Sequence, residues 1–207
     1  MTGNQKFTEK ISAAYLMGNM ELGRLSVLAG VRVEGTETVG TGALQVVTPA
    51  ERALRAAYVG TVTNAETARR TRAEYGGRQV RSGDYQNVLP GVHFKFSPTP
   101  NMVTRLSYAT NVGRPGIGQL IPRTNVNFDT QTIASSNPSL KPQTADNFDL
   151  ALEYYFEPAG TLSIGLFQKQ IKNFIYTSGG VVVPGGADNG FNGDYAGYAL
   201  TTQFNGG

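Results

Sequence analysis

His93 is the only histidine in the chain, and there is no cysteine. That excludes a thiol nucleophile, a thiolate zinc site and a disulfide framework, and one imidazole cannot build a multi-histidine metal site. No nucleophile or orienting carboxylate can be assigned to His93, so it is a poor catalytic residue. Neither standard glycine-rich phosphate loop occurs. Asp188-Asn189-Gly190 and Asn192-Gly193-Asp194 are oxygen-rich like calcium loops. They lack the spacing and terminal glutamate of a calcium hand, so turn chemistry accounts for them. What remains is charge. Arg32, Glu34, Arg105, Asp149 and Glu153, with Arg114 at the start of a loop, could line a ligand path or pair across neighbouring strands. Arg69, Arg70 and Arg72, with Arg78 and Arg81, could meet an anionic partner such as lipopolysaccharide or form a solvated loop. The chain reads as a non-enzyme with no cofactor and no metal.

The elements that position these charges are strands. Leu25, Val27, Ala29, Val31 and Val33 alternate with Arg24, Ser26, Leu28, Gly30, Arg32 and Glu34, the period of a sheet with one apolar face. Before them, Phe7, Ile11, Ala13, Tyr15 and Met17 read as the apolar side of a first strand, with a tight turn near 18–23. Val88, Val92, Phe94 and Phe96 oppose Leu89, His93 and Lys95, and Phe148, Leu150, Leu152, Tyr154 and Phe156 oppose Asp149, Glu153 and Tyr155. Strands are expected at about 6–18, 22–36, 84–97, 101–112, 145–157, 161–176 and 194–205. Outer loops are expected at 37–83, 113–144 and 178–192, with a short helix within 49–73. Short turns and long loops alternate strictly, which places all long loops at one end. Transmembrane barrels have that asymmetry, and their water-filled interior solvates charges that a buried sheet face would not tolerate. Phe94, Phe96, Tyr154, Tyr155 and Phe156 near the turns fit an interfacial aromatic girdle.

Composition agrees. Charged residues make up 16% of 207, glycines number 26, and the net charge of +3 does not point to nucleic acid. No apolar run approaches a spanning helix, and no signal peptide is visible at the N-terminus. The fold class is therefore all-β: an antiparallel up-and-down transmembrane barrel segment of about seven strands, an incomplete barrel. The length reads as truncation, with Met1 an internal or misassigned start. A passive porin-like channel and a soluble β-sheet binding module are the alternatives.

Particular residues go beyond pattern. Val88-Leu89-Pro90, Ser97-Pro98-Thr99-Pro100-Asn101, Arg105-Leu106-Ser107-Tyr108 and Gly113-Arg114-Pro115 follow in order. Asn137-Pro138-Ser139-Leu140-Lys141-Pro142 then leads into Asp146-Asn147-Phe148-Asp149-Leu150 and Leu152-Glu153-Tyr154-Tyr155-Phe156. This stretch resembles the C-terminal barrel of TonB-dependent outer-membrane receptors. The resemblance implies active uptake of an iron chelate, cobalamin or oligosaccharide across the outer membrane of a Gram-negative-type cell. It implies outer-membrane lipid and lipopolysaccharide, a small-molecule ligand, and the TonB energy-transducing protein as partners, the last through a plug not visible in this sequence. Asn137, Pro138, Leu140, Lys141 and Pro142 read as a structural lead into the next strand, because the two prolines fix the backbone.

Overall fold

The computed structural model describes residues 5–206. In chain order its strands are β1 (Lys6–Leu22), β2 (Leu25–Ala43), β3 (Arg78–Thr99), β4 (Met102–Gly113), β5 (Thr124–Asn127), β6 (Thr132–Ser135), β7 (Gln143–Phe156), β8 (Gly160–Lys172), β9 (Phe174–Val182) and β10 (Ala199–Gly206). Its helices are α1 (Pro49–Ala56), α2 (Asn64–Tyr75) and the single turn α3 (Ile117–Leu120). The wall is one antiparallel sheet, β1-β2-β3-β4-β7-β8, open at both outer strands. A bend at Asn173, whose φ is 54°, separates β8 from β9, and β10 returns antiparallel along β9. At one end the hand-overs are tight: Leu22 pairs with Leu25, Thr99 with Met102 and Phe156 with Gly160. Gly23 makes the first of these turns at a φ of 61°, where a side chain would be strained. The connections at the other end span 44–77, 114–142 and 183–198.

Register assigns the faces. Val27, Val31 and Val33 on β2 stand beside Phe94, Pro90 and Val88 on β3. Phe94 stands beside Leu106, Leu106 beside Leu150, and Leu150 beside Leu166. Neighbouring side chains on this face are open, with Leu16 77%, Val88 60% and Leu166 66% exposed. A contiguous apolar face of this kind is unstable in water and is the surface a barrel turns to lipid. On β2 it runs uncharged from Leu25 to Gly35; at about 3.4 Å per residue and a tilt of about 40°, that spans about 26 Å. Charge returns just beyond, where Glu37 pairs in register with Lys10 and with Asp84. The opposite face carries Arg32, Glu34, Lys95, Arg105, Asp149 and Glu153, and is the lumen side.

Three expectations are corrected. First, Leu22 pairs directly with Leu25, so the even residues of β1 share the lipid face, with Leu16 beside Val31 and Met20 beside Val27. Phe7, Ile11, Ala13, Tyr15 and Met17 face the lumen; the turn is Gly23-Arg24, later than 18–23, and its parity decides the phase. Second, Tyr155 does not join the girdle. It stands on the lumen side and its hydroxyl donates to Glu153 Oε2 at 2.7 Å, whereas Tyr154 and Phe156 stack edge-to-face at 4.9 Å on the lipid side. Third, the strands reach further outward than read. β2 extends to Ala43 and β3 begins at Arg78, because beyond the lipid both faces meet water or loops and the apolar alternation is lost. The last strand begins at Ala199 rather than 194, since Tyr195 has a φ of 60° and belongs to a turn.

Apart from Ala43 at the outer end of β2, the buried apolar side chains lie outside the wall. Val47, Leu120, Val126, Ile133, Leu140 and Val183 are each at most 6% exposed, and all sit in the outer connections. The β5–β6 hairpin joins a second sheet, in which β6 runs parallel to β10 with Ile133 opposite Leu200. Phe191, Tyr195, Tyr198 and Leu200 close around Val126, Ile133 and Val183. The expected short helix is two helices. Thr48 and Thr63 each cap one by accepting from the backbone N–H of the glutamate three residues on, Glu51 and Glu66, at 3.2 Å. No helix among the described residues is long and apolar enough to cross a membrane.

Candidate ligand site at the outer end of the wall

The charged residues singled out by sequence fall into two groups. Near the outer end, Glu34 is 3% exposed on the lumen face of β2. Arg32, two residues away on the same face, donates to its Oε2 at 3.0 Å. Arg114, where the second connection leaves β4, donates to its Oε1. This pins the start of the loop to the wall. Near the tight turns, Arg105 pairs with Glu153 across strands, and Ser107 donates to Asp149 at 3.5 Å. The structure therefore unites Arg32, Glu34 and Arg114 and leaves Arg105, Asp149 and Glu153 at the far end of the wall. His93 stands on the lumen face between Leu28 and Ser107, its cross-strand partners.

The proline-framed motif ties the second connection to β10. Asn137 Nδ2 donates to the Gln203 carbonyl at 2.9 Å, and its Oδ1 accepts from Ser139 N at 3.0 Å. Lys141 N donates to Asn205 Oδ1 at 2.8 Å, and Asn205 Nδ2 donates back to the Lys141 carbonyl at 3.0 Å. Leu140 is 5% exposed beneath. Pro138 and Pro142 frame this run against β10, with a turn at Pro138-Ser139 that Leu140 N closes on the Asn137 carbonyl at 3.2 Å.

Arg69 and Arg70 form no free basic patch. Arg69 and Arg70 both donate to Glu66 at 2.8 Å, Arg69 also reaches Glu51 at 2.8 Å, and Arg55 bridges Glu51 and Glu74 at 2.8 Å. Arg69 first, and then Arg70, hold the Glu66 carboxyl down to about 2. Arg69 and Arg55 lower Glu51 in the same way. The pairs lace α1 to α2 as a helical hairpin. Arg52 on α1 reaches Asp194 in the third connection at 2.6 Å. Asn189 orders that connection by accepting from Phe191 N at 2.9 Å and Gly193 N at 3.0 Å, which is the turn chemistry expected of it. No group of three or more His, Cys, Asp or Glu that could hold a metal occurs among the described residues.

All three connections meet around one cavity of about 560 Å³, lined among others by Gln79, Arg81, Arg123, Asn137, Asn189 and Tyr195. A second, of about 310 Å³, lies deeper on the lumen side and is lined by Thr38, Tyr85, Asn87, Leu140 and Lys141. Arg81, Pro138 and Ser139 line both. The floor exists because the second connection lies flat on the lumen face of β2. A Cβ on Gly40 would come within 3.0 Å of the Leu120 carbonyl oxygen, and one on Gly42 within 1.8 Å of that of Pro122. Sequence reasoning missed Asn87, Arg123, Gln79 and the two glycines. The one available signal was Gly40 and Gly42 at period two, continuing the lumen face of β2 past Thr38.

The model of the TonB-dependent receptor-like β-barrel family matches residues 2–207. The chain belongs to the TonB-dependent receptors. In fold this receptor wall is similar to the Serratia marcescens hemophore receptor HasR, a double mutant in complex with its hemophore HasA and heme. The TM-score is 0.59 at 13% identity, over 95% of this chain and 29% of that one. It is similar also to a mutant of the ferric enterobactin receptor PfeA of Pseudomonas aeruginosa in complex with enterobactin, with a TM-score of 0.53 at 14% identity, over 97% of this chain and 32% of that one. The chain thus spans about a third of the length of these receptors. No curated protein sequence matches it. Family membership makes it an outer-membrane protein of the Gram-negative type, in a family of receptors and transporters rather than enzymes.

Proposed function

We propose that this chain forms the barrel wall and outer ligand loops of a receptor for active uptake of a scarce ligand across the outer membrane. The ligand is an iron chelate, cobalamin or oligosaccharide, and TonB supplies the energy through the plug of the whole receptor. The observation that carries the reading is the interlocking of all three outer connections around the 560 Å³ cavity. Arg52–Asp194 joins the first to the third. Gln45, accepting from Val126 N, joins the first to the second. Asn137–Gln203 joins the second to β10. The ligands of HasR and PfeA, heme and enterobactin, support an iron-bearing compound over the other classes. The test is uptake of labelled heme, ferric chelates, cobalamin and oligosaccharides by cells producing the whole receptor, with and without TonB. Uptake of one class that needs TonB and is lost on deleting 124–135 is expected. Uptake indifferent to TonB would instead make the protein a passive channel.

A further inference from the structure

The two cavities differ from the rest of the outer region in how their charges are matched. Arg52, Arg55, Arg69, Arg70 and Arg114 each have a carboxylate partner. Arg81, Arg123 and Lys141 line the cavities, and none of the three has an ion pair among the described residues. Among the described residues the only bond of the Arg81 guanidinium is to the Val80 carbonyl at 3.5 Å. Against them stand Asp84 in the deeper cavity and Asp194 in the outer one, and Asp194 is already neutralised by Arg52. Asn87, which lines the deeper cavity, is 8% exposed, and among the described residues its Nδ2 has no hydrogen-bond partner. A buried donor left unpaired is costly, and it is matched when an acceptor enters the cavity.

We infer that the ligand is an anion rich in oxygen acceptors, seated between Arg123 and Arg81 in the outer cavity and reaching past Arg81 to Asn87 in the deeper one. This rests on the receptor reading above and narrows it. A neutral polyol or neutral chelate would fill the hydrogen-bonding groups and leave the three cations with Asp84 alone against them, an excess of two positive charges. An anion matches both, and two planar guanidinium forks suit carboxylate, catecholate or phosphate oxygens.

The test uses the whole receptor in detergent and two iron chelates of similar size, a ferric tris-catecholate trianion and a neutral ferric tris-hydroxamate, with binding read by equilibrium dialysis of labelled iron. The trianion should bind at least about tenfold more tightly than the neutral chelate, and weaken as NaCl rises from about 50 to about 500 mM. Arg81→Gln with Arg123→Gln should weaken the trianion by about 10–100-fold and leave the neutral chelate unchanged. Asn87→Asp should weaken the trianion as well. Arg72→Gln, on α2 and lining neither cavity, is the control for general surface charge. Equal binding of the two chelates, with the paired arginine substitution without effect on either, would overturn the inference while leaving the receptor reading intact. Binding of neither up to about 1 mM would overturn it too; the receptor reading would then stand or fall on TonB-dependent uptake alone.

Discussion

Gly42→Ala isolates the step that makes the floor of the cavity. The new methyl carbon would sit 1.8 Å from the Pro122 carbonyl oxygen, so the Leu120–Pro122 backbone has to retreat by more than about 1 Å; over-packing of this kind costs about 1–3 kcal/mol. Leu120 and Ile121, 6% and 7% exposed, hold the segment down with about 1.5–3 kcal/mol each. One alanine therefore loosens the segment without releasing it, and Gly40→Ala with Gly42→Ala releases it. Hydrogen exchange of the amides over 117–123, with the receptor in lipid discs, reads this directly. Exchange should quicken by about 5- to 150-fold for the single substitution, while the amides of β7 and β8 stay protected. Gly18→Ala is the control, since nothing lies within 4 Å of its added Cβ. If Gly42→Ala exchanges no faster over 117–123 than Gly18→Ala, the connection does not seat on β2 as described.

Other outcomes follow from the same geometry. Arg114→Ala leaves the Glu34 carboxylate, 3% exposed, to Arg32 alone; a loss of about 1–3 kcal/mol in thermal or urea stability is expected, and Glu34→Gln in the same chain should restore part of it. Leu106→Arg, on the lipid face, should cost about 2–4 kcal/mol and lower the amount of folded protein recovered from outer membranes, whereas Ser107→Arg, facing the lumen, should be recovered normally. Arg69 and Arg70 hold Glu66 at about 2 against a reference of 4.5. A depressed folded value means these pairs, all within α2, steady the helix and the Arg69 side chain that reaches Glu51 on α1 above pH 4.5, and lose that effect as pH falls toward 2. Pepsin cleavage within 57–63 should rise over that window, and Glu66→Gln should flatten the rise.

The wall was legible wherever one face met lipid. Leu25 to Val33 and Phe148 to Phe156 gave their faces directly, because a period of two survives when only one side is apolar. β1 misled because Tyr15, Met17 and Ile11 are apolar on the lumen side, and only the two-residue turn at Gly23-Arg24 reveals the phase. Arg32 and Glu34 were legible as a pair, being two apart on one strand. That Arg114 completes them depends on a loop returning to the wall from 80 residues away. Arg81 and Arg123 share a cavity for the same kind of reason. The hairpin of β5 and β6 has strands of four residues each, too short to show a period, and its core partner Val183 lies in another connection.

Because the water-excluding core sits in the outer connections and against β10, the molecule answers to two solvents. The wall takes its order from hydrocarbon around it, and the head from its own packed interior. The seams between them are few, chief among them the glycine seat on β2 and the Arg114 clamp. A recognition head joined at so few points can change its interior, and with it the ligand, without renegotiating how the strands enter the membrane.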